Sequence, residues 1–268
     1  LSYQVCTPRF NGFANEWIDK PGIEEAVAAK LSDITIRYAL EDCIDLPENI
    51  VRTVRTKLSP KVQAMYDIFV KESVLYTNSG TINAVHAGAR VKKLLQLVSG
   101  GVYDEDGNVQ YLHQERYDIV MQLVASRKHS IVAFNWKHER DALIEIAEKQ
   151  NITYELIDGS VPAHKRKDIV ERFQAGHIQV LFCHPQSAGH GLTLTKATTA
   201  IWCSPTYNAE HFQQFNKRIY RAGQKSKTET ILIAAQKTWE EDVYKKLNSK
   251  LGKMENLLHI LTALNNDK

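Results

Sequence analysis

From residue 113 onward the chain alternates between short apolar runs and amphipathic stretches of ten or more residues. The apolar runs are SIVAFNW, ITYELID, IQVLFC, TTAIWC and TETILIAA. QERYDIVMQLVASRK leads into the first of them, and HERDALIEIAEKQ and KRKDIVERFQ separate the next. In the leading stretch Tyr117, Val120 and Val124 fall on one helical face. Continuous apolar runs suit strands buried on both sides, and parallel strands of that kind are joined by helices. The order therefore predicts βαβ units around a parallel sheet, an α/β fold.

The text before residue 113 is of another kind. PGIEEAVAAKLSD predicts a short helix, and ITIRYALEDCIDLPENIVRTVRTKL an extended segment around a Leu-Pro turn. LSPKVQAMYDIFVKESVL opens on a Ser59–Pro60 cap and continues as an amphipathic helix. INAVHAGARVKKLLQLVSGG predicts a second helix, ended by Gly100–Gly101. The Asp106–Gly107 step in GVYDEDGNVQYL marks a tight hairpin. The last stretch, WEEDVYKKLNSKLGKMENLLHILTALNN, predicts a helix packed on the flank of the sheet domain.

Composition sets the frame for function. With 268 residues, 43% apolar and 24% charged, the chain has enough material for a real core. A net charge of +3 permits a nucleic-acid partner without demanding one. Cys6, Cys43, Cys183 and Cys203 form no Cys-x-x-Cys pair, which argues for a reducing compartment and against a zinc module. No run approaches the roughly 18 apolar residues of a membrane span.

Two constellations carry chemistry. QFNKRIYRAGQ places Gln214, Arg218 and Arg221 on one face if the segment is helical from about Asn208. Two guanidiniums aimed at one point repel each other unless an anion lies between them, and their planar forks suit phosphate oxygens. Alone, the pattern reads more simply as a solvated basic face closed by Gly223. The second constellation, HPQSAGHGLTLTKATTAIWC, follows the strand IQVLFC. It sets Ser187, Ala188, Gly189 and Gly191 at the carboxyl end of a parallel strand, where open sheets bind ligands and glycine admits a phosphate. A β-α loop that needs glycine for its backbone angles is the alternative.

Taken together and in this order, AGHGLTL and QFNKRIYRAGQ resemble motifs V and VI of superfamily two helicases, in the SWI/SNF-like (chromatin-remodeller) branch. SIVAFNW is similar to that family's motif IV strand, and LIDGSVPAHKRKDIVERFQ to its Asp-Gly-Ser segment and following basic helix. ITIRYALEDCIDLPENIVRTVRTKLSPKVQAMYD is similar to the link between the family's two lobes, and LLQLVSGGVYDEDG to phage-encoded members. The resemblance covers most of residues 33–240. Two positions depart from it: Lys217 stands where the family has an acid before the first arginine, and Thr193 where it has an asparagine.

The resemblance implies a RecA-like C-terminal lobe at 113–240, preceded by lobe-one remnant and linker at 1–112 and followed by a helical extension at 241–268. It implies that Arg218 and Arg221 are arginine fingers, that Gln214 is positional, and that Gly189 and Gly191 approach ATP alongside the arginines. The implied cofactors are ATP and Mg2+, held by a first lobe of the same polypeptide. Neither that lobe's G-x-x-x-x-G-K-[ST] loop nor its strand ending in Asp-Glu is in this sequence, which opens on Leu1 and reads as a segment of a longer polypeptide. Trp136, Lys137, Ser160, Gln186 and Ser187 are the expected contacts to DNA in duplex form, with Lys165, Arg166 and Lys167 as a basic patch or a merely solvated face. No membrane partner is expected, and the compartment expected is the cytoplasm, that of the host if the chain is phage-encoded. A non-catalytic binding module and an RNA substrate are the competing readings.

Overall fold

The computed structural model describes residues 2–10, 15–35, 44–77, 80–83, 87–188 and 191–266. Gly189, His190 and Cys43 lie outside the described residues, as do residues 36–42 of the expected linker. The chain divides into two compact units, residues 45–247 and residues 1–44 with 248–268.

The larger unit is built on six parallel strands: β3 (Asn49–Thr56), β8 (Ser130–Ala133), β9 (Tyr154–Ile157), β10 (Val180–Cys183), β11 (Thr199–Trp202) and β12 (Thr228–Ala235). Their order across the sheet is β3-β12-β11-β8-β10-β9. Every residue of β8, β10 and β11 is buried, as the uninterrupted apolar runs require of strands covered on both faces. Helices α5 (Glu115–Ala125), α6 (Lys137–Lys149), α7 (Ala163–Gln174) and α9 (Ala209–Asn216) connect or flank the strands, and the four-residue α8 (Pro185–Ala188) follows β10. Tyr117, Val120 and Val124 of α5 are fully buried and join Val132, Phe182, Ile201 and Ile231 in one core. This is the parallel α/β sheet expected of the alternation and the RecA-like architecture that the resemblance implies.

The edge strand β3 comes from the segment read as linker. Its NIVRTVRT sequence pairs along its whole length with β12, and Glu229 fixes the register by accepting from Arg52 Nε (3.1 Å) and Arg127 Nε (2.6 Å). The division expected at residue 112 thus falls inside one compact unit.

A second core lies where α3 (Pro60–Glu72), α4 (Ala87–Ser99) and the hairpin β6 (Gly101–Tyr103)–β7 (Val109–Tyr111) meet, with Val62, Tyr66, Phe69, Leu94, Leu97 and Val102 buried. Gly100 makes the turn from α4 into the hairpin at φ +119, and a Cβ there would stand 2.4 Å from the Tyr117 hydroxyl. The helix expected from Ile82 begins only at Ala87: β4 (Val74–Thr77) and β5 (Gly80–Asn83) form an antiparallel ribbon in whose register Ile82 pairs with Leu75. That ribbon follows Ser73, a left-handed residue (φ 58) that stops α3 before the Leu75 to which its pattern ran.

The final helix, α10 (Trp239–Asn266), belongs to both units. Its first turns bury Val243, Tyr244 and Leu247, and the Tyr244 hydroxyl donates to the Ile233 carbonyl (3.2 Å). In the smaller unit, α1 (Ser2–Val5), the antiparallel β1 (Cys6–Phe10) and β2 (Asn15–Asp19), and α2 (Ile23–Leu31) accompany the rest of α10, with Lys253 bonded to Asp19.

Beneath the sheet's carboxyl edge, Arg116 and Glu240 form an ion pair at 2.6 Å, almost wholly shut from water. Arg116 also donates to the Cys203 (2.7 Å) and Val98 (3.2 Å) carbonyls, so one fork joins α5, α10, β11 and α4. Removing one partner of such a pair strands a buried charge. Arg116→Met is expected to cost about 3–5 kcal/mol in urea denaturation, and the double variant Arg116→Met/Glu240→Leu to recover most of it. A loss below about 1 kcal/mol would show the pair to be effectively solvated.

Candidate functional site

In an open parallel sheet, ligands meet the loops beyond the carboxyl ends of the strands, where connections leave in opposite directions. Here β8 is that divide: from β8 the chain moves to β9 on one side, and from β10 it crosses to β11 on the other. Three of those loops carry the expected nucleic-acid residues. Trp136 precedes the first turn of α6 and Lys137 opens it, Ser160 follows β9, and Gln186 and Ser187 lie in α8 after β10. Lys137, Ser160 and Gln186 are exposed, while Trp136 and Ser187 are half-buried.

Each loop is tied down by a buried or half-buried polar group. Glu139 is fully buried, and its Oε2 accepts from the backbone N–H groups of Asn135 (2.8 Å) and Trp136 (3.2 Å), fixing the chain's entry into α6. Asn135 in turn donates through Nδ2 to the Ser204 carbonyl (3.0 Å) and hydroxyl (3.0 Å). Trp136 lines a cleft of about 580 Å³ with Leu95, Pro205 and Tyr207. Asp158 Oδ1 accepts from the Ser160 N–H (2.9 Å) and hydroxyl (2.5 Å), and its Oδ2 from Arg140 Nη1 (3.1 Å). Burial pushes the Asp158 carboxyl up, but the Ser160 bonds and Arg140 outweigh it and hold it below the ordinary range. His184 N–H donates to the Ile157 carbonyl (2.9 Å), joining the loops after β9 and β10.

The expected basic patch is only partly one. Lys165 and Lys167 are exposed, with Lys167 3.8 Å from Glu171. Arg166 is turned inward and donates to backbone carbonyls of its own and the neighbouring loop.

The second group of residues surrounds the return from the glycine loop. Gly191 is exposed at φ +70, a left-handed position that favours glycine, with nothing within 4 Å of where a Cβ would stand. Trp202 packs against Phe212 and Phe215 of α9 at ring distances of 5.0 and 5.1 Å and donates from Nε1 to Asn216 Oδ1 (3.0 Å). There α9 stops, so Gln214, Arg218 and Arg221 do not share one helical face as expected. The Arg218 N–H donates to Phe215 (3.0 Å), only three residues back, and the Arg218 carbonyl is taken by the Leu194 N–H (2.9 Å). The Gln214 carbonyl, which a continuing helix would offer to the Arg218 N–H, accepts from the Arg218 side chain instead.

The two arginines still converge, through the turn that follows α9. Arg218 donates from Nε to the Gln214 carbonyl (2.9 Å) and from Nη1 to the Leu192 carbonyl (3.3 Å). Arg221 Nη1 donates to that same Leu192 carbonyl (3.0 Å). Burial, and then the charge of Arg221, pull the Arg218 guanidinium below its ordinary range. Gln214 is anchored to Glu210 through Nε2 (2.8 Å), and its buried Oε1 has no hydrogen-bond partner among the described residues. Gln224, not singled out beforehand, is buried and reaches the Thr195 (3.0 Å), Ala197 (3.1 Å) and Ile219 (3.1 Å) carbonyls, sewing the end of one motif to the end of the other. Its place as the last residue of QFNKRIYRAGQ was the available signal.

With this geometry in view, residues 115–223 match the model of the helicase conserved C-terminal domain. Its relatives include SWI/SNF-type proteins, the branch to which the motifs point. "Putative protein p41" of Acyrthosiphon pisum secondary endosymbiont phage 1 is 27% identical over 94% of this chain and 58% of its own length. A Caenorhabditis elegans homologue of the SWI/SNF-related matrix-associated actin-dependent regulator of chromatin subfamily A-like protein 1 is 24% identical over 94% of this chain and 35% of its own. The chain thus spans little more than half, or about a third, of these relatives. The C-terminal part of the Fun30 ATPase domain shares the fold, with a TM-score of 0.57 at 14% identity over 75% of this chain and 89% of that one.

Burial raises the Glu139 carboxyl from 4.5 to about 7, against the pull of Asn135, Ser204 and Arg116. A raised carboxyl makes the folded state bind more protons than the unfolded one between those pH values. Its stability contribution is therefore full below about 4.5 and is lost as pH rises through about 7. His138, pushed by burial from 6.5 down to about 3, acts in the opposite sense. The difference between wild type and Glu139→Gln isolates the first effect. Denaturation at pH 5.5 and 8 is expected to show the wild type losing stability relative to Glu139→Gln as pH rises; parallel profiles would contradict it.

Proposed function

We propose that this chain is the second lobe of an ATP-dependent DNA translocase or helicase, and that Arg218 and Arg221 are its arginine fingers. The observation that carries the reading is their convergence on the Leu192 carbonyl. Two guanidiniums drawn to one carbonyl stand side by side, and a phosphoryl oxygen is a partner that suits both planar forks. ATP supplies the γ-phosphoryl group whose developing charge such residues stabilise. The chain's own part is to hold two guanidiniums in register for it, a contribution of roughly 10³–10⁵ in rate for an arginine finger. Gln214 positions Arg218 through its carbonyl, and Gly191, with open space where a Cβ would stand, leaves room for close approach. Mg2+ enters with the nucleotide on the first lobe, which is this lobe's partner in the same polypeptide.

In this reading Trp136, Lys137, Ser160, Gln186 and Ser187 face the backbone of duplex DNA, and closing and opening of the lobes around ATP moves the enzyme along it. Its place of action is the cytoplasm, that of the host cell for a phage-encoded enzyme. Exposed Lys217, where the family has an acid, favours a second reading: a binding module without turnover.

The two separate in a polypeptide that joins this chain to a first lobe bearing a phosphate loop. DNA-stimulated ATP hydrolysis is expected there and not from the chain alone, with Arg221→Ala lowering turnover about a thousandfold at unchanged thermal stability. Near-normal turnover in Arg221→Ala would refute the finger assignment. DNA binding with no turnover in the joined wild type would support the module.

A further inference from the structure

Arg166 lies in the first half of α7, in the run His164-Lys165-Arg166-Lys167 that by sequence alone is a cationic surface. Its guanidinium does not face outward with its neighbours. Nε donates to the Val161 carbonyl (2.8 Å), Nη2 to the Asp158 carbonyl (2.9 Å) and Nη1 to the Ser187 carbonyl (3.4 Å). The first two acceptors flank Ser160 in the loop after β9, and the third belongs to Ser187 after β10. One planar fork thus spans two of the three loops that carry proposed DNA contacts. Asp158 extends the tie, since its carboxylate holds Ser160 on one oxygen and Arg140 of α6 on the other.

We propose that Arg166 is a positioning residue of the DNA-binding edge: it sets Ser160 and Ser187 relative to each other through its fork, and does not itself contact phosphate. The inference rests on the reading of that edge as a DNA interface. The chemistry behind it is geometric. Lysine carries the same charge on a flexible stem, but three carbonyls from two directions need the fixed donors of a guanidinium. Charge and position are therefore separable at this residue.

The test compares wild type, Arg166→Lys and Arg166→Gln by duplex-DNA anisotropy titrations at several salt concentrations, together with amide hydrogen exchange. Arg166→Lys is expected to bind about tenfold more weakly, the order of one lost charge-assisted hydrogen bond, with an unchanged salt slope because no phosphate contact is removed. Exchange in residues 158–162 and 184–188 is expected to rise in both variants relative to the core strand Val180–Cys183, a ratio that separates local opening from any fall in global stability. Wild-type affinity in Arg166→Lys, with a loss in Arg166→Gln and a salt slope smaller by about one phosphate, would make Arg166 a phosphate contact and overturn the inference. Unchanged exchange in both segments would overturn it too. Should the wild type bind no DNA, the interface reading fails, and the exchange ratio alone still decides whether Arg166 sets the two loops.

Discussion

The arrangement of the candidate site depends on one crossing of the backbone. The Leu194 N–H donates to the Arg218 carbonyl, and two residues earlier the Leu192 carbonyl accepts from both guanidiniums. α9 has already ended at Asn216, and this exchange holds the turn that follows, so that Arg218 and Arg221 stand beside the return from the glycine loop. Gln224 closes the same seam from its far end. Motifs far apart along the chain thereby become one rigid feature, with its charge set before any ligand arrives.

Below that seam, a sheet buried on both faces fixes the height of every loop. Since β8, β10 and β11 expose nothing, the functional groups must come from the loops beyond the strands' carboxyl ends, and those loops are held by polar groups that are themselves buried or half-buried. Glu139, Asp158, Arg166 and Asn135 each satisfy backbone N–H or carbonyl groups that the strands no longer pair. Loops tied in this way present side chains at defined positions, with little left to order on binding.

Much of this was legible in the sequence, and the parts that were not have physical reasons. The parallel sheet followed from the continuous apolar runs, and α5 from Tyr117, Val120 and Val124, because burial on both faces leaves a direct trace in composition. The early end of α9 left none: the Gln214 carbonyl accepts from the Arg218 side chain and not from its N–H, and nothing in QFNKRIYRAGQ shows that exchange. Arg166 reads as a solvated cation because its acceptors are backbone carbonyls, which every residue carries. Glu139 reads as an ordinary first-turn acid for the same reason. The edge strand β3 was read as extended, but its partner β12 lies about 180 residues away, and the ladder and the Arg52–Glu229–Arg127 cluster that join them leave no local trace.

The central claim is that Arg218 and Arg221 form a preset pair that receives the terminal phosphate of a nucleotide. The most direct measurement follows the Nε–Hε resonances of these two arginines in the chain joined to its first lobe, with a non-hydrolysable triphosphate and with the diphosphate. The account predicts that the triphosphate shifts both signals together and slows their exchange with water, while the diphosphate leaves them near their nucleotide-free positions. Signals indifferent to the third phosphate would contradict it.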